Sequence, residues 1–140
     1  MHNPLFWIEW LDRLDRVLSS ARQDVAVLKR ALSPRTLEAI ERSKRQLAAL
    51  LNDLRLLDRD VLAAGTAPRA ADALQAALEK TVTQLGSLAA IPAASAPGAL
   101  DRMLASSDAA LRDSCYEAAV LLGPDRRRVA GARAEYGARL

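Results

Sequence analysis

One cysteine among 140 residues cannot close an internal disulfide, so Cys115 gives no sign of an oxidising compartment. Its simplest place is as a small, largely buried apolar residue on a helix. Histidine is as scarce: the only one, His2, lies at a terminus expected to fray, which leaves no positioned imidazole base and no histidine pair for a metal. Serine–histidine–aspartate and cysteine–histidine catalysis, and histidine-ligated zinc, are thereby excluded. The six glycines are scattered at joints and never gather into a phosphate-cradling loop. No apolar run approaches the roughly 18–20 residues that would span a bilayer. The N-terminus lacks the basic start and small-residue cleavage site of a signal peptide, so a cytoplasmic location is expected. Strand-favouring β-branched and aromatic residues are few, whereas alanine and leucine abound, a composition that reads as helix. The arginine and alanine bias resembles a high-GC bacterial coding sequence.

Charge is nearly balanced, twenty Lys and Arg against seventeen Asp and Glu, so the net +3 matters only where it clusters. At 15.1 kDa the chain is one domain's worth, able to bury roughly two thirds of its unfolded surface.

The apolar residues Trp7, Leu11, Leu14, Leu18, Ala21, Val25, Leu28 and Leu32 recur at steps of four and three, a heptad seam. Asn3-Pro4 supplies a cap and a proline at the first helical position, which predicts a helix from residue 4 to about Leu32. Ser33-Pro34 repeats that start. Leu37, Ile40, Leu47, Leu50, Leu51, Leu54, Leu57 and Val61 carry a second helix toward a stop at Gly65. A third is expected over about 68–90, with Leu74, Leu78, Val82, Leu85 and Leu88 inward. A fourth is expected over about 100–122, with Leu100, Leu104, Leu111, Cys115, Ala118 and Leu122 on one side. Between them, residues 91–98 hold two prolines and a glycine and form the longest break. Gly123-Pro124 ends the fourth helix, and Val129, Ala132, Tyr136 and Leu140 suggest a short fifth.

The expected architecture is all-α: an up-down four-helix bundle made of two helical hairpins, 4–63 and 68–122, with a short C-terminal helix over 125–139, all in a single domain over 1–140. Acid-first pairs four residues apart, among them Asp12 with Arg16, Glu41 with Arg45 and Asp108 with Arg112, support the solvated faces by about 0.2–0.5 kcal/mol each.

Two local features exceed what the bundle needs. Three of the five aromatic residues, Phe6, Trp7 and Trp10, crowd the opening turns with Leu5, Ile8 and Leu11, more than one face can cover. Phe6, Trp7 and Trp10 are therefore candidate partner contacts, with Tyr136 on the last helix as a further one. Arg126, Arg127 and Arg128 place cations in the first turn of the expected fifth helix, where they oppose its dipole. A phosphate backbone or an acidic partner would explain them.

Two short stretches resemble known families. Leu11-Asp12-Arg13-Leu14-Asp15 resembles the opening of the helical chorismate mutases, but the arginine those enzymes need one helical stretch further on falls at Val25, so no catalytic residue carries over. Ile40, Lys44, Leu47, Leu51, Leu54 and Leu57, followed by Tyr136-Gly137, are similar in layout to the small helical export chaperones of flagellar hook–filament junction proteins. That resemblance implies a cytosolic chaperone whose C-terminal helical region binds its client, although the asparagine expected in the second half is absent.

The residues thus lead to a non-catalytic helical protein-interaction module (an adaptor, chaperone or small assembly subunit), with no catalytic residue, no metal and no cofactor. Its partner is expected to be another protein or a second copy of itself. The alternative is a small helical subunit of a ribonucleoprotein assembly that holds the nucleic-acid backbone through Arg126, Arg127 and Arg128.

Overall fold

The computed structural model describes residues 4–56, 68–91 and 98–122, with side chains over 9–56, 71–91 and 98–120. The described residues form four helices: α1 (Pro4–Arg30), α2 (Pro34–Leu56), α3 (Pro68–Ala89) and α4 (Ala99–Leu122). At 1.5 Å per residue they span about 33–40 Å each. The expected fifth helix over 125–139, Leu57, Val61 and the Asn3 cap lie outside the described residues.

Local sequence sets the boundaries. Ser33 precedes a proline, which disfavours helical backbone for it, and α1 ends at Arg30, two residues before the expected stop. Leu32 consequently leaves the seam and stands 54% exposed. The Ser33 carbonyl then accepts the first bond of α2, from the Leu37 amide at 3.0 Å, so three residues connect the two long helices. Gly98 opens α4 in the same way, its carbonyl bonded by the Arg102 amide at 3.1 Å. Its φ of +89° is one that a side chain would strain, which places a glycine at that joint.

Each helix packs against the next in sequence, and α4 closes the ring against α1. Five contacts fix the directions. The Trp10 indole reaches the Leu50 carbonyl, so the start of α1 lies beside the end of α2. A Cβ at Gly86 would stand 3.4 Å from Lys44 Cδ, which sets the last part of α3 beside the first half of α2. Ser107 bonds the Gln84 carbonyl while Thr81 bonds Ser114, and Lys29, near the end of α1, pairs with Asp108, in the first half of α4. The arrangement is an antiparallel up-down four-helix bundle.

Its core holds Trp10, Leu11, Leu14, Leu18, Ala21, Val25 and Leu28 from α1 and Ile40, Leu47, Leu50, Leu51 and Leu54 from α2. From α3 and α4 it takes Ala71, Leu74, Leu78, Leu85, Leu88, Leu104, Leu111 and Ala118. The heptad reading of α1 and α2 therefore holds over the described side chains except at Leu32, which is exposed, and Leu37, which is half-buried. On α3 and α4 it needs more correction. Val82, Leu100 and Cys115, expected inward, are only half-buried, while Thr81, Ser107 and Ser114 are fully buried between the two helices.

Small polar side chains let these axes approach, and the hydroxyls satisfy themselves locally. Thr81 Oγ1 lies 2.8 Å from the Ala77 carbonyl, 2.9 Å from the Ala110 carbonyl and 2.7 Å from Ser114 Oγ. A threonine hydroxyl carries one proton, so Thr81 shares it between the two carbonyls while Ser114 donates to Thr81 Oγ1. Among the described residues no buried side-chain nitrogen or oxygen lacks a partner. Thr81→Val is expected to cost about 1–2 kcal/mol, since it strands Ser114 beside an apolar group. Thr81→Val with Ser114→Ala should cost less than the sum of the single changes, which urea melts of the double-mutant cycle would check.

Candidate interaction surface

Among the described residues no group of three or more His, Cys, Asp or Glu side chains could hold a metal ion, and no helix is long and apolar enough to cross a membrane. The features that remain among the described residues are surface ones: apolar side chains left outside the core, shallow grooves and the distribution of charge.

Trp10, expected at a partner contact, is instead fully buried in the chain's own core, where its Nε1 donates to the Leu50 carbonyl at 3.1 Å. The physical reason is register. Trp10 stands one turn before Leu14, so it shares the inward stripe of α1 and faces the end of α2. The side chains of Phe6 and Trp7, and all of Tyr136, Arg126, Arg127 and Arg128, lie outside the described residues.

The exposed large apolar residues fall into three places. Val27 and Leu32 lie near the tight α1–α2 connection, and Leu56 ends α2. Tyr116 and Val120, 68% and 48% exposed, are one turn apart on α4 and form the only such pair on a single described helix face. Asp113 precedes Tyr116 by three residues and Glu117 follows it, so both carboxylates share that face with the apolar pair. Ala105 and Ala109 extend the same face toward the start of α4 as small, exposed side chains. Sequence periodicity missed Tyr116 because it asks which residues are inward, whereas the signal here is a large apolar residue two positions off the inward stripe.

The grooves are more polar. One, of about 340 Å³, runs between α1 and α2 past Arg13, Arg16, Ser20, Gln46 and Asp53. Arg16 is tied to Asp12, which reduces the free positive charge of this groove. The other, of about 430 Å³, lies between the end of α1 and the first half of α4. Asp108 binds both Lys29, at 3.2 Å, and Arg112, at 3.0 Å, so these three charges lining the groove are paired with one another. Of the expected acid-first pairs, Asp12–Arg16 and Asp108–Arg112 form, whereas Glu41 takes Lys44 in place of Arg45. Arg55 and Glu79 join α2 to α3 at 2.7 Å, and this bond, with that from Gln75, holds the Glu79 carboxyl below its ordinary range.

Cys115 faces α1. Burial pushes its thiol above the ordinary 9.0, with Asp15 adding to the shift and Arg22 opposing it. A protonated, half-buried thiol is a weak nucleophile. Alkylation of Cys115 by iodoacetamide at pH 8 is therefore expected to be several-fold slower in the folded chain than in urea; equal rates would place the thiol in open solvent. The sign for stability follows. Above pH 9 the unfolded thiol ionises before the folded one, so the Cys115 contribution is whole below that pH and is lost as pH rises further.

Compared with known proteins, the chain matches no family model, no curated protein and no solved structure.

Proposed function

We propose that this chain is a non-catalytic helical interaction module, an adaptor, chaperone or small assembly subunit, that works in the cytoplasm by holding another protein or a second copy of itself. One observation carries the reading: Tyr116 and Val120 stand exposed one turn apart on α4, while most other large apolar side chains among the described residues are packed inside. Leaving a tyrosine ring wet forfeits burial worth about 1.5–3 kcal/mol, so a partner that covers it gains that energy. A flat tyrosine bordered by an aliphatic group and two carboxylates is the composition of an interface anchor with a polar rim. The finer architecture belongs to the same proposal, with a short fifth helix over 125–139 completing the bundle. The nucleic-acid alternative rests on Arg126, Arg127 and Arg128, and the acidic face of α4 does not favour it.

Retention of a protein from native lysate by the full chain should fall at least ten-fold for Tyr116→Ser with Val120→Ser. Both side chains lie outside the core, so the melt should move by no more than about 0.5 kcal/mol. Unchanged retention by the well-folded variant would sink the reading.

A further inference from the structure

We infer that the outer face of α4 is a docking surface for a basic amphipathic segment, and that residues 123–140 of the same chain are its resident occupant. The inference deepens the interaction-module reading and rests on it for the use of this face.

Charge is the first argument. Within α4, Asp101, Asp108, Asp113 and Glu117 stand against Arg102 and Arg112, a net of 2 − 4 = −2. Residues 123–140 carry Arg126, Arg127, Arg128, Arg133 and Arg139 against Asp125 and Glu135, a net of 5 − 2 = +3. Asp108 is already engaged by Lys29 and Arg112. Asp101, Asp113 and Glu117 make no ion pair among the described residues; Asp101 lies in the first turn of α4, and the other two share the face of Tyr116 and Val120, so two of the three acids available to a new partner border the exposed apolar pair.

Reach and pattern agree. Gly123-Pro124 follow the end of α4 at Leu122, and a glycine–proline pair is a sequence signal for a helix stop and a turn. Eighteen residues cover about 27 Å as a helix, less than the roughly 36 Å of α4, so a segment returning along α4 stays over it throughout. Counted back residue for residue from that turn, Arg133 comes level with the turn of α4 that carries Asp113. Tyr136 comes level with the turn that follows Ala109, where small side chains leave room for a ring. Val129, Ala132, Tyr136 and Leu140 recur at steps of three and four, so one side of such a helix is apolar and meets Tyr116 and Val120. The arginine triplet, adverse to its own helix start, gains a purpose in this arrangement: by the same count it comes level with residues 118–120, within one turn of Tyr116 and Glu117, where guanidinium groups find a ring face and a carboxylate. An external client of the same chemistry would compete for this face, so the segment acts as a built-in competitor that a partner must displace.

The test uses the full chain carrying Cys115→Ser and Arg133→Cys, with a nitroxide attached at position 133, and reads the NMR signals of α4. A docked segment broadens Tyr116, Asp113 and Val120 selectively, and the broadening weakens in about 0.5 M salt as the charges are screened. Asp113→Lys with Glu117→Lys should abolish it while helicity stays within a few per cent. Mixing nitroxide-bearing chains with isotope-labelled chains free of nitroxide separates cis from trans: broadening in that mixture would assign the face to a second copy and overturn the inference. So would broadening confined to α1, or none on α4. Loss of client retention in Tyr116→Ser with Val120→Ser, without broadening in the nitroxide experiment, would leave the interaction module standing and remove only its resident occupant.

Discussion

Trp10→Ala is expected to destabilise the chain by about 3–5 kcal/mol, a large share of the roughly 5–15 kcal/mol that holds a domain of this size together. Two losses combine. The indole is fully buried among α1 and α2, so its removal leaves a cavity that helix backbones cannot collapse to fill. Its Nε1–H bond to the Leu50 carbonyl, which ties the start of α1 to the end of α2, also goes. Trp10→Phe separates the terms, since it keeps most of the apolar volume and loses the bond, and should cost about 1–2 kcal/mol beyond any repacking. Urea melts followed at 222 nm would check both. A Trp10→Ala melt within about 0.5 kcal/mol of the parent would return this ring to the surface, where the crowding of Phe6, Trp7 and Trp10 in the sequence first suggested it lay.

The second large effect contrasts two leucines. Leu111, fully buried at the centre of the α4 stripe, should cost about 2–5 kcal/mol on replacement by alanine. Leu32, 54% exposed after the end of α1, should cost no more than about 0.5 kcal/mol. Sequence periodicity gave both leucines the same inward role, so the comparison isolates what the proline-imposed end of α1 changed. Leu14, Leu18, Leu28, Leu47 and Leu54 belong with Leu111.

How far the sequence reveals the molecule depends on which physical signal each part leaves. The four helices and their antiparallel order were legible because Pro4, Pro34 and Pro68 mark starts and apolar residues repeat at the helical period. The α3–α4 seam was not, because Thr81, Ser107 and Ser114 are polar by type and become core only when a hydroxyl finds a carbonyl on the facing helix. Composition cannot supply that partner. The same limit applies to charge: Lys29–Asp108 and Arg55–Glu79 join residues far apart in sequence, whereas spacing rules see only pairs within one helix. The candidate surface was the least legible part. Tyr116 carries no motif and no periodic role, and it is singled out only by standing exposed beside Val120 on one described helix face.

The account's central claim is that the outer face of α4 is where this protein meets its partners, and oxidative footprinting of Tyr116 tests it most directly. Labelling of the chain alone in about 0.5 M salt, where its own C-terminal segment is released from this face, is compared with labelling of the chain recovered in complex from native lysate, with Leu32 and Leu56 as exposed reporters elsewhere on the molecule. The account predicts several-fold protection of Tyr116 in the complex with both leucines unchanged. Equal labelling of Tyr116 in the two states, or protection confined to Leu32 or Leu56, would contradict it.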